Sequence, residues 1–422
     1  MTDAPASSTG SSGPRVTVVG IGADGWAGLS EAARQLIRDA RLVVGGHRQQ
    51  TLLPDTEGQD RRRWPTPMLP SLPALLEEYR GRDILVLASG DPLVSGIGST
   101  LIDRLGSENV RIVPAVSSVA LARARMGWAA ETVEVLTVVG RDPYTLLAQL
   151  TPGRRLIVLS SDEHTPGLVA SLLVDAGYGP SSMTVLGALA GPDESRSSST
   201  AAAWGDALSP RLNLICLDLR ARNGAMLLPG VPGLPDEAFD SDGQLTKRDV
   251  RAAALARLAP VPGQLLWDVG AGAGSIAIEW ARTDRRCRAI ALERDPERAA
   301  RITGNAQKLG VPGVQVITAR APAGLAGLPT PDAVFIGGGA GDPGVFDTCW
   351  AALAPAGRLV VHAVTLETEA VLIERYKSLG GELVRLSVER AGPLGSFTGW
   401  TPARAVTQWA VTKSVPLPQD AS

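Results

Sequence analysis

Cysteine and histidine are scarce in this chain, with three of each. The cysteines lie far apart and lack metal-ligand spacing, which excludes a disulfide framework and a cysteine-built zinc site. The histidines are equally scattered, so no metal centre is predicted. Unpaired cysteines indicate a reducing compartment, and we predict a cytoplasmic location. The residues concerned are Cys216, Cys287, Cys349, His47, His164 and His362.

The sequence also lacks a long apolar run and an excess of either charge. No apolar stretch approaches the ~20 residues that a membrane-spanning helix needs. Residues 1–14 have no basic region followed by an apolar one, and we predict that they form a disordered tail. The formal net charge is only -2, and the longest basic run, residues 61–63, is predicted as a solvated loop. We therefore expect neither a membrane nor a nucleic acid as a partner.

What the chain does have is length and the hydrophobic content of a globular protein. Its 422 residues, 44% of them hydrophobic, allow two or three domains with separate cores. The clearest shift in composition falls over residues 222–244, where Gly, Pro and Asp are dense and no periodicity is sustained. We predict a linker over residues 223–244, between a domain over 15–222 and a second over 245–415.

Both predicted domains have an α/β pattern, because short apolar runs alternate with helical stretches rich in Ala, Leu and Arg. In the second domain, five buried strands precede two apolar stretches suited to an antiparallel pair at the sheet edge. This order predicts a seven-stranded, Rossmann-like methyltransferase sheet. Its predicted strands are residues 265–269, 289–293, 314–318, 333–336, 359–364, 383–388 and 406–411.

The stretch LWDVGAGAGSIAIEWA places alternate glycines between a strand and a predicted helix. Such a loop lets a ligand approach the backbone, and the free amides at the helix start favour a carboxylate or phosphate. A dinucleotide site has G-x-G-x-x-G, whereas this loop has D-x-G-x-G-x-G. The spacing therefore favours S-adenosylmethionine over a nicotinamide cofactor. The predicted binding residues are Asp268, Gly270, Gly272 and Gly274.

An acidic residue at the end of the next strand supports this interpretation. Glu293 lies where a carboxylate would accept hydrogen bonds from ribose hydroxyls. The following strand leads into Arg320, where many Rossmann methyltransferases have an acid that binds the adenine amine. Because arginine cannot accept that bond, the adenine contacts are left to backbone and apolar groups. The alternative to a donor-binding loop is that residues 270–274 form a glycine turn, which only lets helix and strand pack closely.

The first predicted domain has glycine loops of its own. VTVVGIGADGWAGLS contains G-x-G-x-x-G, but the next strand ends without the carboxylate that a dinucleotide site requires. ILVLASGDPLVSGIGSTL is more specific and is followed by VRIVPAVSSVALARARMGW. In this order the segments resemble the tetrapyrrole methylase family, whose members bind S-adenosylmethionine in a cleft between two α/β subdomains. The resemblance implies a donor site with Gly20, Gly22, Gly90, Asp91, Pro92, Ser117 and Ser118.

The second domain resembles the decarboxylating precorrin methyltransferases. The resemblance rests on LTKRDVRAAALARL, DVGAGAGSIAIEWA, ALERDPERAARITGNAQKLGV and VTLETEAVL. Together the two resemblances imply a bifunctional enzyme of cobalamin biosynthesis with two S-adenosylmethionine sites per chain. They imply C-5 methylation by the first module, and C-15 methylation with loss of CO2 from the ring C acetate by the second. The expected conversion is from precorrin-6Y or 6B to precorrin-8X.

Methyl transfer to carbon needs alignment and exclusion of water, because the tetrapyrrole supplies the nucleophile. The lack of a convincing catalytic triad is therefore expected. Decarboxylation can use a protein acid, and Glu367 in TLET is the candidate, with Asp268 as an alternative. Each is equally suited to contacting the donor or capping a helix.

An anionic tetrapyrrole favours basic residues near the clefts, because guanidinium groups pair with carboxylates. One group lies in LTKRDVR, where Thr246 is a predicted N-cap, and the alternative there is a plain surface helix. The other lies in RAGPLGSFTGWTPARAV, which is either a lid over the macrocycle or a hairpin connection. The candidate substrate residues are Lys247, Arg251, Arg390, Arg404 and Trp400.

Other functions fit parts of the sequence. A two-module methyltransferase could act on another large substrate, such as RNA or a translation factor, although the near-neutral charge disfavours RNA. The glycine spacing disfavours a nicotinamide oxidoreductase, and the two intact loops disfavour a non-catalytic scaffold. We also expect a homo-oligomer.

Overall fold

The computed structural model describes residues 15–79 and 81–415. The predicted tail over residues 1–14 lies outside them. The described chain divides into two compact units. Unit 1 contains the described residues up to Arg141 together with Pro152–Arg222, and unit 2 contains Asp142–Thr151 and the chain from Asn223 onward.

The first sheet of unit 1 has five parallel strands. They are β1 (Val16–Ile21), β2 (Leu42–Gly45), β3 (Asp60–Arg63), β4 (Ile84–Ser89) and β5 (Val110–Val113). The helices around them are α1 (Gly25–Gly28), α2 (Glu31–Asp39), α3 (His47–Thr51), α4 (Met68–Glu78) and α5 (Ile97–Leu105). The order β3-β2-β4-β1-β5 puts the apolar runs of β1 and β4 at the centre, because helices cover both faces of a parallel sheet.

Strand β3 corrects one prediction. The basic run Arg61 to Arg63 is not a loop but the edge of this sheet, where Val43 pairs with Arg61 and Val44 with Arg62. Most side chains of an edge strand can reach water, so the strand forms without an apolar pattern, and its charges discourage pairing with another chain.

The second sheet of unit 1 is mixed. Its elements are α6 (Ser118–Met126), β6 (Glu134–Thr137), β7 (Arg155–Leu159), α7 (Thr165–Asp175), β8 (Ser182–Gly187), β9 (Ser195–Thr200) and β10 (Asn213–Asp218). The strand order is β6-β7-β10-β8-β9, with only β6 and β7 parallel. The edge strand β9, of sequence SRSSST, was not predicted. The two sheets confirm the predicted architecture of two α/β subdomains.

Unit 2 contains the predicted seven-stranded sheet. Its strands are β11 (Leu265–Val269), β12 (Arg288–Glu293), β13 (Gln315–Thr318), β14 (Ala333–Ile336), β15 (Arg358–Ala363), β16 (Glu382–Leu386) and, after the hairpin β17 (Glu389–Leu394) and β18 (Phe397–Pro402), β19 (Val406–Thr412). The helices are α8 (Arg248–Leu258), α9 (Ser275–Thr283), α10 (Pro296–Lys308), α11 (Val345–Ala352) and α12 (Leu366–Leu379). The order β13-β12-β11-β14-β15-β19-β16, with β19 antiparallel to both neighbours, confirms the Rossmann-like methyltransferase sheet.

The segment predicted as a linker, residues 223–244, is packed onto unit 2. Leu234, Ala238 and Phe239 are buried in its core. The carboxylate of Glu279 accepts hydrogen bonds from the backbone nitrogens of Gly233 and Leu234, at 2.6 and 3.0 Å. Side chains therefore satisfy the backbone of an irregular segment, which explains why its sequence has no periodicity.

A short segment of the first half of the sequence also belongs to unit 2. Residues Pro143–Gln149 form a 3-10 helix, in which Leu146 is fully buried. The helix approaches Gly310 so closely that a Cβ at that position would lie 2.1 Å from the backbone nitrogen of Ala148. Gly310 also has a φ of +80°, so the contact and the backbone both require glycine.

Two further findings concern only the part of the chain that the structure describes. No helix there is both long and apolar enough to cross a membrane. No group of three or more His, Cys, Asp or Glu side chains there could hold a metal ion.

Candidate functional site

Unit 1 contains an open cleft that encloses about 530 Å³ of space, part of it continuous with solvent. Its walls come from the loops after β1 and β4, from α6 and from the second sheet. Of the predicted donor-binding residues, Gly22, Gly90 and Ser118 line this cleft. The structure thus brings together residues from three separate segments of the sequence.

The other predicted residues of unit 1 build the loops around the cleft. A Cβ at Gly20, near the end of β1, would lie 1.9 Å from the carbonyl oxygen of Gly90, so β1 is in direct contact with the loop after β4. Asp91 accepts a hydrogen bond from the Leu93 nitrogen at 2.9 Å. The carbonyl of Pro92 accepts one from the Gly98 nitrogen at the start of α5, and Ser117 caps α6.

The cleft also contains Arg48 and Ser89, which the sequence analysis missed. Arg48 donates from Nη2 to Ser89 Oγ at 2.8 Å. Burial lowers the pKa of its guanidinium. A signal existed, since Arg48 follows β2 closely and Ser89 ends β4, and ligands of α/β sheets bind beyond the carboxyl ends of strands.

In unit 2, the predicted glycine loop joins β11 to α9. Gly270, Gly272 and Gly274 have φ values of +71°, +59° and +77°. A Cβ at Gly272 would lie 2.6 Å from the Gln244 carbonyl oxygen, and one at Gly274 the same distance from the Ile302 side chain. The glycine spacing that predicted a donor site therefore also has a cause in the fold itself.

Asp268, at the end of β11, is buried beside this loop. Its Oδ2 accepts a hydrogen bond from the Ala277 nitrogen at 3.0 Å, and its Oδ1 has no partner among the described residues. Burial raises the pKa of the carboxyl to about 7, with a further upward contribution from the charge of Glu293. A buried, unpartnered oxygen is expected where a ligand or ordered water completes the hydrogen bonding.

Glu293, at the end of β12, holds the glycine loop in place. Its Oε2 accepts from the Gly272 nitrogen at 2.9 Å, and its Oε1 accepts from the Asp295 nitrogen at 3.1 Å. A carboxylate oxygen accepts more than one hydrogen bond, so both oxygens keep capacity for hydroxyl donors. This geometry fits the predicted ribose contact.

The loop after β14 lies against the glycine loop. A Cβ at Gly270 would lie 3.0 Å from the carbonyl oxygen of Gly338. Gly338 itself has no positive φ, and a Cβ there would meet nothing within 4 Å. Neither packing nor backbone conformation requires this glycine, so the open space beside it can accommodate a ligand close to the backbone.

Arg320 occupies the position at which many Rossmann methyltransferases have an acid that binds adenine. It pairs with Asp342, in the loop after β14, at 3.1 Å. An acidic side chain therefore lies beside position 320, although a different loop supplies it. Together with the unpartnered oxygen of Asp268 and the open space at Gly338, these residues fit S-adenosylmethionine at the carboxyl edge of the sheet.

Arg251 requires a correction, because its side chain is fully buried. Its Nε donates to Glu279 at 2.5 Å and its Nη1 to Asp236 at 3.1 Å. These bonds fix the residues before α8 onto α9, so Arg251 has a structural role and is not free to meet a substrate. Thr246 is not the N-cap of α8 either, since Lys247 occupies that position and Asp236 accepts from the Arg248 nitrogen.

The other predicted substrate residues are at the surface. Arg390 of β17 pairs with Asp249 of α8 at 2.7 Å, which brings the two predicted substrate segments together. The segment RAGPLGSFTGWTPARAV forms the hairpin β17–β18, on which Trp400 is 71% exposed. The remaining surface residues are Lys247, Arg404 and, at the start of α12, Glu367.

Comparison with known proteins identifies a family for each half of the chain. The family described as tetrapyrrole (corrin/porphyrin) methylases matches residues 15–202, and the one described as precorrin methyltransferase domain matches residues 237–413. The chain is 46% identical over 400 residues to a precorrin-6Y C(5,15)-methyltransferase (decarboxylating) of Sinorhizobium sp, covering 95% of this chain and 97% of that protein. It is 47% identical over 398 residues to the Mycobacterium tuberculosis protein of the same name, covering 94% and 100%.

A shorter relative covers one module only. A protein of Pyrobaculum calidifontis named as a cobalt-precorrin-6B C(15)-methyltransferase (decarboxylating) is 34% identical over 188 residues, covering 42% of this chain and 96% of that protein. The folds, the glycine loops and these similarities define an S-adenosylmethionine-dependent C-methyltransferase of tetrapyrroles. The chain belongs to the precorrin-6Y C(5,15)-methyltransferase (decarboxylating) family.

Proposed function

We propose that this chain methylates a precorrin at C-5 and C-15 and removes CO2 from the ring C acetate, forming precorrin-8X in cobalamin biosynthesis. The observation that carries the proposal is similarity over nearly the full length to relatives named for this double reaction. The methyl donor is S-adenosylmethionine, whose sulfonium supplies an electrophilic methyl group.

Each chain has two donor sites, one in the cleft of unit 1 and one at the glycine loop of unit 2. In unit 1, Gly22 and Gly90 let the donor approach the backbone. In unit 2, Glu293 accepts from the ribose hydroxyls and Asp268 contacts the donor through its free oxygen. Two separate folds, each with its own loop, support this count.

Unit 2 carries out C-15 methylation and decarboxylation, and unit 1 carries out C-5 methylation. The Pyrobaculum relative supports this division, because a protein of single-module length is named for both C(15) methylation and decarboxylation. The surface residues Lys247, Arg390, Arg404 and Trp400 hold the macrocycle, and Glu367 is the proposed acid of decarboxylation. These residues are exposed and so within reach of an anionic substrate, which would compete with Asp249 for Arg390 and with Asp236 for Lys247.

We also propose a cytoplasmic location, a homo-oligomer and no nucleic acid partner. The three cysteines are free and buried, which suits a reducing compartment. The exposed side chains of Leu394 and Phe397 on the hairpin β17–β18 offer apolar area for a subunit contact. The near-neutral net charge disfavours nucleic acid.

The reaction is tested by incubating the full chain with precorrin-6Y or precorrin-6B and S-adenosylmethionine, with the reductant NADPH left out. Mass spectrometry should show two added methyl groups and loss of one CO2. Methyl addition without CO2 loss would contradict the decarboxylating function, and no methyl addition to either precorrin would contradict the proposal as a whole.

The donor site of unit 2 is tested by Glu293→Ala. We expect S-adenosylhomocysteine to bind this site more weakly by roughly 1.5–3 kcal/mol, the range for hydrogen bonds to a charged group. Calorimetry on the wild-type chain should resolve two binding events, of which the variant weakens one. The control is Glu297→Ala, because Glu297 is exposed on α10. Unchanged affinity in a folded Glu293→Ala variant would remove Glu293 from the site, and a single event in the wild type would contradict two donor sites.

A further inference from the structure

Arg48 is a half-buried arginine in the cleft of unit 1. Among the residues that the structure describes, the one hydrogen-bond partner of its guanidinium is Ser89 Oγ, and no carboxylate pairs with it. Arg125 of the same unit differs, because its Nε and Nη2 donate to the two oxygens of Glu194 at 2.6 and 3.0 Å. Arg48 thus has the geometry of a carboxylate receptor without its carboxylate.

The hydrogen bonding of Ser89 adds a donor at the same place. Its Oγ accepts from Arg48 Nη2 and from Gln49 Nε2, both at 2.8 Å. A hydroxyl has two lone pairs and one proton. Because both lone pairs are used, the O–H can only donate, and no described protein group accepts it. The guanidinium and this hydroxyl therefore both offer protons to an incoming acceptor.

We propose that Arg48 and Ser89 form a carboxylate-binding subsite in the cleft of unit 1. The planar guanidinium matches a carboxylate with two parallel hydrogen bonds, and partial burial strengthens such a pair. Burial lowers the pKa of the Arg48 guanidinium, and no carboxylate of the described residues pairs with it. Ser89 and Gln49 act as positioning residues, because they fix the side chain of Arg48 toward the cleft.

The carboxylate can come from a side chain of the macrocycle or from the amino acid part of S-adenosylmethionine. This choice of ligands rests on the proposed function. Both sources present the same chemical group to Arg48, and ligands that lack one of them tell the two apart. S-adenosylhomocysteine has the amino acid carboxylate, methylthioadenosine lacks it, and uroporphyrin III is a stable polycarboxylate tetrapyrrole.

The test compares the full-length wild type with Arg48→Met, Arg48→Lys and Ser89→Ala. Calorimetry measures S-adenosylhomocysteine and methylthioadenosine, and quenching of tryptophan fluorescence measures uroporphyrin III. We expect Arg48→Met to weaken one carboxylate ligand by roughly ten- to a hundredfold, the loss of a charge-assisted hydrogen bond. Arg48→Lys should lose less affinity because it keeps the charge, and Ser89→Ala should bind the same ligand several-fold more weakly than the wild type. The matched control is Arg125→Met, which removes an arginine whose carboxylate the protein already provides.

The pattern of losses identifies the source. If the variant binds S-adenosylhomocysteine more weakly and methylthioadenosine unchanged, the carboxylate that Arg48 binds is that of the methyl donor. If it binds uroporphyrin III more weakly, the carboxylate belongs to the macrocycle. The proposal is overturned if a folded Arg48→Met binds all three ligands within about twofold of the wild type. These measurements need no turnover, so failure of the methylation assay would count against the proposed reaction and leave this test standing.

Discussion

Gly20 in unit 1 has an ordinary backbone conformation, whereas Gly270, Gly272 and Gly274 in unit 2 all have positive φ values. Gly20 is required because a neighbouring loop passes over it. The glycines of unit 2 are required because the chain turns through a conformation that side chains disfavour, and at Gly272 and Gly274 a neighbouring atom would also lie 2.6 Å from an added Cβ. Gly20 is therefore required by a close contact alone, and the glycines of unit 2 by backbone conformation as well, so substitutions at the two places should fail differently.

The largest effect is expected for Gly20→Ala. The added Cβ would lie 1.9 Å from one backbone oxygen and 2.7 Å from the Ala115 nitrogen, neither of which can rotate away. We expect more than about 3 kcal/mol of destabilisation, at the upper end of overpacking effects. Hydrogen exchange should show lost protection in β1 and β4 and unchanged protection in β11 and β14. The control is Gly167→Ala, where the nearest atom is 3.9 Å away. Normal protection of β1 in Gly20→Ala would show that the loop after β4 can move away from β1.

A somewhat smaller destabilisation is expected for a substitution in the first predicted domain that affects unit 2. Leu146 lies among residues of the first half but is fully buried in a segment of unit 2. Leu146→Ala should destabilise by about 3 kcal/mol, the usual cost of such a cavity. Hydrogen exchange should increase in α10 while β1 and β4 keep their protection. If β1 responds and α10 does not, the segment belongs with unit 1.

The smallest of these effects depends on pH and concerns Asp268. Its pKa is raised to about 7 in the folded protein, so the folded state binds the extra proton. Stability from this group is fully present below its ordinary pKa of 3.8 and is lost as the pH rises to about 7. About 2 kcal/mol of it is lost between pH 5 and pH 7, at 1.36 kcal/mol per pKa unit. Urea unfolding of unit 2 should show this loss in the wild type. Asp268→Asn, which cannot ionise, should lack it, and equal pH slopes for both proteins would contradict the raised pKa.

The sequence predicts the parts of the fold in which burial determines residue type. Strands β11, β14 and β15 are apolar runs because both faces of the sheet are covered, and their order follows from their connections. Strands β3 and β9 were missed because burial does not determine their residue types. They lie at sheet edges, where main-chain pairing needs no apolar pattern.

The sites were predictable to a similar extent. Glycine spacing located both loops, and the position of Glu293 after its strand indicated its place beside the glycine loop. Sequence spacing could not show that Arg251 is buried or that Arg48 lacks a carboxylate, because each depends on which distant side chain folds against it. Composition misled in the segment 223–244, since Gly and Pro are as frequent in a packed irregular segment as in a free one.

The segment Asp142–Thr151 has a consequence for the connectivity of the protein. The backbone enters unit 2 at residue 142, returns to unit 1 at 152 and enters unit 2 again at 223. Cleavage after Arg222 would therefore not yield two whole units, because the fragment with unit 1 would keep a piece of unit 2 that includes Leu146. The two fragments would stay associated through that piece, as in fragment complementation. Unit 2 is thus assembled from two stretches of chain, with one part of unit 1 before the first stretch and the rest of unit 1 between the two. Its folding is complete only after both stretches have been synthesised.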